Sequence, residues 1–318
     1  MRLLTAVAAA LGVLGMEADS ISPGDEWNQF RGNVLRTGRS AAEVPDDLKL
    51  LWSFEAGFSI DSSAAIVEGV VYMTALPGLV AALSLEDGTV RWKRDFGEDA
   101  DRFGESSPTV FEDVVYVGDL LGTLHAFRAD SGETLWTFET GSEIKSSPVI
   151  AGADVLISSY DEHLYSLDRK TGALKWKFQA MGPLHSTPAI ADGLIYVTGC
   201  DSVFRGIRLS DGTEALQFDS GAYTAASPAL VDGISYYGTF GNDVLAVDLE
   251  AKKYVWRYEH PERHFPFYSS AAVADGKVIV GGRDKMVHAI DQKTGQGVWT
   301  FTTGARVESS PVTAGNRV

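Results

Sequence analysis

The sequence predicts an all-β fold, a β-propeller of four-stranded blades, and two combs of residues predict it. Trp recurs at steps of 40 to 44 residues, at Trp52, Trp92, Trp136, Trp176, Trp256 and Trp299, with Leu216 in the one position that lacks it. The second comb keeps the same beat with small residues: Ser62-Ser63-Ala64, Ser106-Ser107-Pro108, Ser146-Ser147-Pro148, Ser186-Thr187-Pro188, Ala226-Ser227-Pro228, Ser269-Ser270-Ala271 and Ser309-Ser310-Pro311. A fixed period of this size marks one supersecondary unit copied along the chain.

One unit shows why each element forms. Ser146–Ile150 is short and apolar, and Ala151–Asp154 supplies a turn. Val155–Tyr160 is β-rich, His163–Asp168 alternates, and Leu174–Phe178 alternates again after Lys170-Thr171-Gly172. Short strands punctuated by Gly and Asp turns read as a propeller blade. Windows with 3.6-residue apolar periodicity are missing from the sequence, which excludes helical solenoids. Asp87-Gly88, Ser131-Gly132, Thr171-Gly172, Asp211-Gly212 and Thr294-Gly295 place a glycine between strands three and four, while Ala251-Lys252 predicts a different turn there.

The Trp falls on the outermost strand. The small residue and Asp before it (Ser166/Asp168, Ala246/Asp248, Ala289/Asp291) are placed to receive a Trp from a neighbouring blade. The serine comb falls on the innermost strand, where blades converge and side chains must be small. These serines read as structural, because no His and Asp accompany them at fixed positions as a catalytic triad requires.

The composition is globular, with 45% apolar and 22% charged residues, and the net charge is −16. Without clustered Lys and Arg, nucleic-acid binding is excluded. Residues 1–18 resemble a secretory signal peptide: Arg2 precedes a short apolar run that ends at Glu17. No second apolar run follows, so no transmembrane segment is expected. A lead-in covers 19–47 and the propeller 48–318. Cys200 is the one cysteine, so export would proceed without disulfides.

A unit of the form Ser-Ser-Pro, apolar strand, Ala-x-Asp-x-x-Thr-Gly-x-x-x-Trp, seen from Ala289 to Trp299, resembles the PQQ-like (pyrroloquinoline-quinone) β-propeller repeat. Trp27-Asn28-Gln29-Phe30-Arg31-Gly32-Asn33 with Thr37-Gly38 also resembles the N-terminal segment of exported bacterial proteins of this type. The resemblance implies either a quinoprotein dehydrogenase, holding PQQ and calcium on the axis, or a non-catalytic propeller of the outer-membrane assembly type. The sequence has no vicinal Cys pair, and the calcium ligands of those enzymes map onto no position in it. It therefore sides with a periplasmic or extracellular binding scaffold that needs no cofactor. PQQ and calcium belong to the alternative, oxidation of an alcohol or sugar.

Six blades are complete in the sequence, flanked by an unpaired outer strand (48–54) and an unpaired inner strand (309–313). The expectation is an eight-bladed protein of which this chain is a C-terminally truncated part. The residue before each serine pair should ring the channel mouth: Asp61, Glu105, Lys145, His185, Ala225, Tyr268 and Glu308, with Asp61, Glu105 and Glu308 forming an acidic arc. Such a mouth suits a protein partner, a carbohydrate or another small ligand. Two longer loops add candidates. One is acidic, with Glu98, Asp99 and Asp101; the other offers His260, His264, Phe265 and Phe267 as partner contacts. Neither loop has the spacing of a metal site. His125, His163 and His288 lie on third strands and are expected to pack within blades, and Cys200 reads as a packed or half-exposed thiol.

Overall fold

A computed structural model describes residues 26–97 and 102–318. Six four-stranded sheets form in chain order, and every sheet is an antiparallel meander of consecutive strands. They are blade 1 (65–95), blade 2 (109–139), blade 3 (149–179), blade 4 (189–219), blade 5 (229–259) and blade 6 (272–302). The inner strand Thr313–Ala314 pairs in parallel with Arg39–Ser40 of the lead-in rather than with a second strand of its own. Because successive strands reverse, the loops between blades and the turns between strands two and three share one face, here the upper. The turns between strands one and two, and between three and four, share the lower face.

Each comb has a defined mechanical role. The second hydroxyl of each serine pair accepts the backbone N–H of its counterpart one blade earlier. Ser63 N–H reaches Ser107 Oγ at 3.0 Å, Ser107 reaches Ser147 at 3.0 Å, and Ser147 reaches Thr187 at 2.9 Å. The relay continues through Ser227 and Ser270 to Ser310. The first hydroxyl mostly stays within its blade, as when Ser146 Oγ donates to the Ser158 carbonyl at 2.8 Å and accepts from its N–H at 2.9 Å, while Ser106 Oγ donates across to the Ser146 carbonyl at 2.8 Å.

The Trp comb bolts blades together at the rim. Trp136 Nε1 donates to the Arg169 carbonyl of the next blade at 3.2 Å, and Trp92, Trp176 and Trp256 repeat the contact with Ala129, Leu209 and Gln292. Trp52, preceding blade 1, docks on it through Leu85. The ring lies flat on the turn glycine: a Cβ on Gly172, whose φ is +72°, would sit 2.6 Å from Trp136. The receiving device is therefore this turn, and the sequence expectation for Ala and Asp needs correcting. The small residue is the cross-strand partner of its own blade's Trp, as Ser166 is of Trp176 and Ala246 of Trp256. The Asp caps the turn, Asp168 Oδ1 accepting from Lys170 N–H, Thr171 N–H and Thr171 Oγ1.

The turn of blade 5 is a second correction. It keeps the same Asp cap, from Asp248 to the N–H groups of Glu250 and Ala251, and Lys252 takes the glycine's left-handed place at φ 52°. Blade 4 is the blade whose outer strand carries Leu216 instead of Trp, and it faces this turn. Without an indole lying on it, the turn tolerates a side chain.

The lead-in is part of the core rather than an appendage. Its carbonyls accept the N–H of the residue three beyond the second serine in six inner strands. Trp27 takes Ile66, Asn28 takes Val110, Val34 takes Ile190, Leu35 takes Leu230, Thr37 takes Val273 and Gly38 takes Thr313, all at 2.8–2.9 Å. These are lower-end residues, so the segment lies across the lower opening of the axis. The fold is anchored by the apolar clusters between blades, such as Tyr236, Trp256, Phe267 and Val280 between blades 5 and 6.

Candidate functional site

At the upper end of the axis, four of the residues expected to ring the mouth converge. Tyr268 Oη donates to Glu105 Oε2 at 2.6 Å and lies 3.1 Å from His185 Nε2, which is itself 3.2 Å from the same carboxylate oxygen. Tyr160, from the upper turn of blade 3, meets His185 Nδ1 at 2.6 Å. Lys145 Nζ sits 3.8 Å from Glu105 Oε1 and 4.7 Å from the centre of the Tyr160 ring. Loops before blades 2, 3, 4 and 6 thus meet in one hydrogen-bonded lid.

The network fixes the protons. Tyr268 has one hydroxyl proton and gives it to Glu105, so His185 carries its proton on Nε2 and shares it with Glu105 and the Tyr268 oxygen. Its Nδ1 meets the Tyr160 hydroxyl. Burial pushes both phenols well above their ordinary value, and the Glu105 charge adds to this, so they remain donors. Glu105 is opposed by burial, but its hydrogen bonds and the charges of His185 and Lys145 win and hold its carboxyl at about 2. Glu105, His185, Tyr160 and Tyr268 each have a polar partner within the cluster.

Asp61 and Glu308 stand outside this hydrogen-bonded cluster. Asp61 is exposed and accepts from Ser59 Oγ at 2.5 Å. Glu308 pairs with Arg283 at 2.8 Å and Arg306 at 3.5 Å, and Arg283 covers the rings of Phe240 and Tyr268. Of the three carboxylates expected to form an acidic arc, Glu105 and Glu308 are thus matched by cations and Asp61 is exposed. Among the described residues, no three His, Cys, Asp or Glu side chains gather as a metal site.

Of the aromatic loop, Phe265 and His264 are exposed, and the His260 ring stands 5.6 Å from His288. Phe267 is a correction. It is buried against His288 and Tyr258 in the blade 6 core and offers nothing to a partner. Glu98, Asp99 and Asp101 lie outside the described residues. The flanks of that loop anchor it: Phe103 is buried beside His125, and Arg102 reaches Asp119 at 2.6 Å. His125 and His288 are buried within their blades and bonded to Asp119 and Asp284. Cys200 is exposed near the mouth, and partial burial with Asp201 beside it raises its thiol rather than activating it.

One feature has no counterpart in the combs. Large apolar side chains stand exposed on the upper loops around the lid: Phe58, Ile60, Leu121, Met181, Tyr223 and Phe265, with Met181 86% exposed. Tyr223 stacks on Phe240 at 4.4 Å, which in turn packs edge-on to Tyr268 at 6.0 Å. The lower turns between strands one and two present Glu112-Asp113, Asp192-Gly193 and Asp232-Gly233, and the exposed large apolar residues on the lower face include Leu85 and Leu35. Single apolar loop residues carry no periodic signal, and only their gathering on one face makes them visible.

Comparisons with known proteins agree with this architecture. The family model described as outer membrane protein assembly factor BamB matches residues 40–144, 76–185, 121–265 and 242–318. The crystal structure of BamB from Moraxella catarrhalis superposes with a TM-score of 0.71 at 19% identity, covering 84% of this chain and 81% of that one. A polyvinylalcohol dehydrogenase from a Pseudomonas species is 31% identical over 81 residues, which is 24% of this chain and 12% of the enzyme's length. With family matches running from residue 40 to residue 318, the chain belongs to the PQQ-like repeat family of outer membrane protein assembly factor BamB.

Proposed function

We propose that the chain is an exported, non-catalytic propeller that binds a protein partner in outer-membrane protein assembly through its upper face. The observation that carries this reading is the ring of exposed apolar residues around a closed polar lid. Aromatic and Met side chains exposed on one face are favoured anchors of a protein interface, and here they stand around a polar centre. Family membership points to the same class of role, and the signal-like residues 1–18 support export. No helix among the described residues is long and apolar enough to cross a membrane. Binding of the purified chain to a detergent-solubilised outer-membrane assembly complex tests the reading. Tyr223→Ala together with Met181→Ala should weaken binding at least tenfold without changing the fold, and unchanged affinity would overturn it.

The match to polyvinylalcohol dehydrogenase favours a second reading, a PQQ- and calcium-dependent oxidoreductase. The donor set at the mouth suits those groups poorly, since Glu105 is already engaged by Tyr268, His185 and Lys145. Titration with PQQ and calcium, read by absorbance and dye reduction, separates the two. Saturable binding with turnover of an alcohol would favour the enzyme.

A further inference from the structure

The lead-in carries two arginines into the axis. Arg31 and Arg36 are 1% and 0% exposed, respectively. Their guanidinium groups bond to the carbonyls of Ala271, Pro311 and Pro188, each one residue beyond the second serine of its strand. That is two residues nearer the upper face than the carbonyl-to-N–H contacts of the lead-in backbone, so both side chains rise from the floor along the axis. Arg36 also donates to the Phe30 carbonyl at 2.6 Å and to Gln29 Oε1 at 3.2 Å.

Every partner is neutral. Among the described residues no carboxylate pairs with either arginine, and Arg31 Nε and Arg36 Nη2 are buried without a hydrogen-bond partner. Burial lowers both guanidinium groups to about 9, with the Arg31 charge adding to the effect on Arg36, so the two groups sense each other and both stay charged at neutral pH. Immediately above them lies the hydroxyl relay. The oxygens of Ser107, Ser147, Thr187, Ser227, Ser270 and Ser310 each accept an N–H, and among the described residues none of these hydroxyl protons has an acceptor. The upper end is covered by the Glu105, Tyr268 and His185 lid and the lower end by the lead-in.

We infer that the axis beside Arg31 Nε and Arg36 Nη2 is a binding site for a small monovalent anion of halide size, held by the two guanidinium groups with the Ser and Thr hydroxyls one residue above them. Two like charges withdrawn from water with only dipoles for company are costly, and an anion between them removes that cost. Bidentate recognition of a planar oxyanion uses two parallel N–H groups from one arginine. Here each guanidinium has a single nitrogen unengaged, an arrangement that suits a spherical anion. This inference concerns the axis and stands independently of any partner on the upper face.

The test uses the full chain in sodium chloride, bromide, sulfate or gluconate at matched ionic strength. Chloride and bromide should raise Tm above gluconate by about 5 °C once the anion exceeds its Kd about a hundredfold. Crystals grown in bromide should show an anomalous peak in contact with Arg31 Nε and Arg36 Nη2. Arg36→Met should abolish the halide-dependent shift; if that variant does not fold, the anomalous map of the unaltered protein decides. Equal Tm in all four salts with no bromide peak would overturn the inference, and stabilisation by sulfate alone would overturn the halide assignment.

Discussion

Replacing Leu216 by Trp and Lys252 by Gly, singly and together, tests the blade-docking account at the place where the chain departs from its own repeat. At five junctions a Trp lies on a turn glycine so closely that a Cβ would fall 2.5–2.6 Å from the indole. At the sixth, Leu216 faces Lys252, whose φ of 52° is one that a side chain adopts at a cost. Leu216→Trp alone adds buried area worth up to about 2 kcal/mol. It also drives the indole into the Lys252 side chain, at an overpacking cost of about 1–3 kcal/mol, so the single variant should be neutral or less stable. Lys252→Gly alone should stabilise by about 1 kcal/mol through relief of the left-handed backbone. The double variant removes the clash, and the cycle should show a favourable coupling of about 1–3 kcal/mol. Equilibrium urea denaturation of the four proteins measures it. Additivity within about 0.5 kcal/mol would refute the reasoning.

Three further outcomes follow from the same geometry. Gly172→Ala should destabilise by about 2–4 kcal/mol in urea denaturation, since it combines a left-handed residue with a Cβ against Trp136. Asp119→Ala should cost about 3–5 kcal/mol by the same measurement, because it strands the buried His125 and the half-buried Arg102 that share this carboxylate. Glu105 lies at about 2 in the folded chain against an ordinary 4.5, so it contributes stability that is present above pH 4.5 and lost as pH falls toward 2. Screened by its partial exposure, that contribution is about 1–2 kcal/mol, and Glu105→Gln should flatten the acid limb of a Tm-against-pH curve by the corresponding amount.

The blades were legible in the sequence because their physics is periodic. Trp136 and Ser147 recur where the same packing problem recurs, and the strand alternation follows the pleat. Glu105, Lys145, His185 and Tyr268 were legible as residues one place before a serine pair, but their meeting in one network was not, because it depends on side chains reaching across the mouth. The lead-in was not legible as a floor, because its grip on the inner strands is made by its own backbone carbonyls and any side chains would serve. Leu216 and Lys252 stood out in the sequence as separate irregularities, but only the contact between neighbouring blades joins them. Phe267 misled for a related reason: an aromatic beside Pro266 in a long loop looks exposed until the chain turns it under His288. The signal that could have flagged Arg31 is Gly38, where a Cβ would collide with its guanidinium group.

The central functional claim is that the upper face receives a protein of outer-membrane assembly. Photo-crosslinking residues placed at Tyr223 on the upper face and at Lys170 on a lower turn test it most directly, using the full chain and a solubilised outer-membrane assembly complex. The account predicts a crosslinked product with a subunit of that complex from position 223 and none from position 170. Crosslinking from position 170 alone, or from neither, would contradict it.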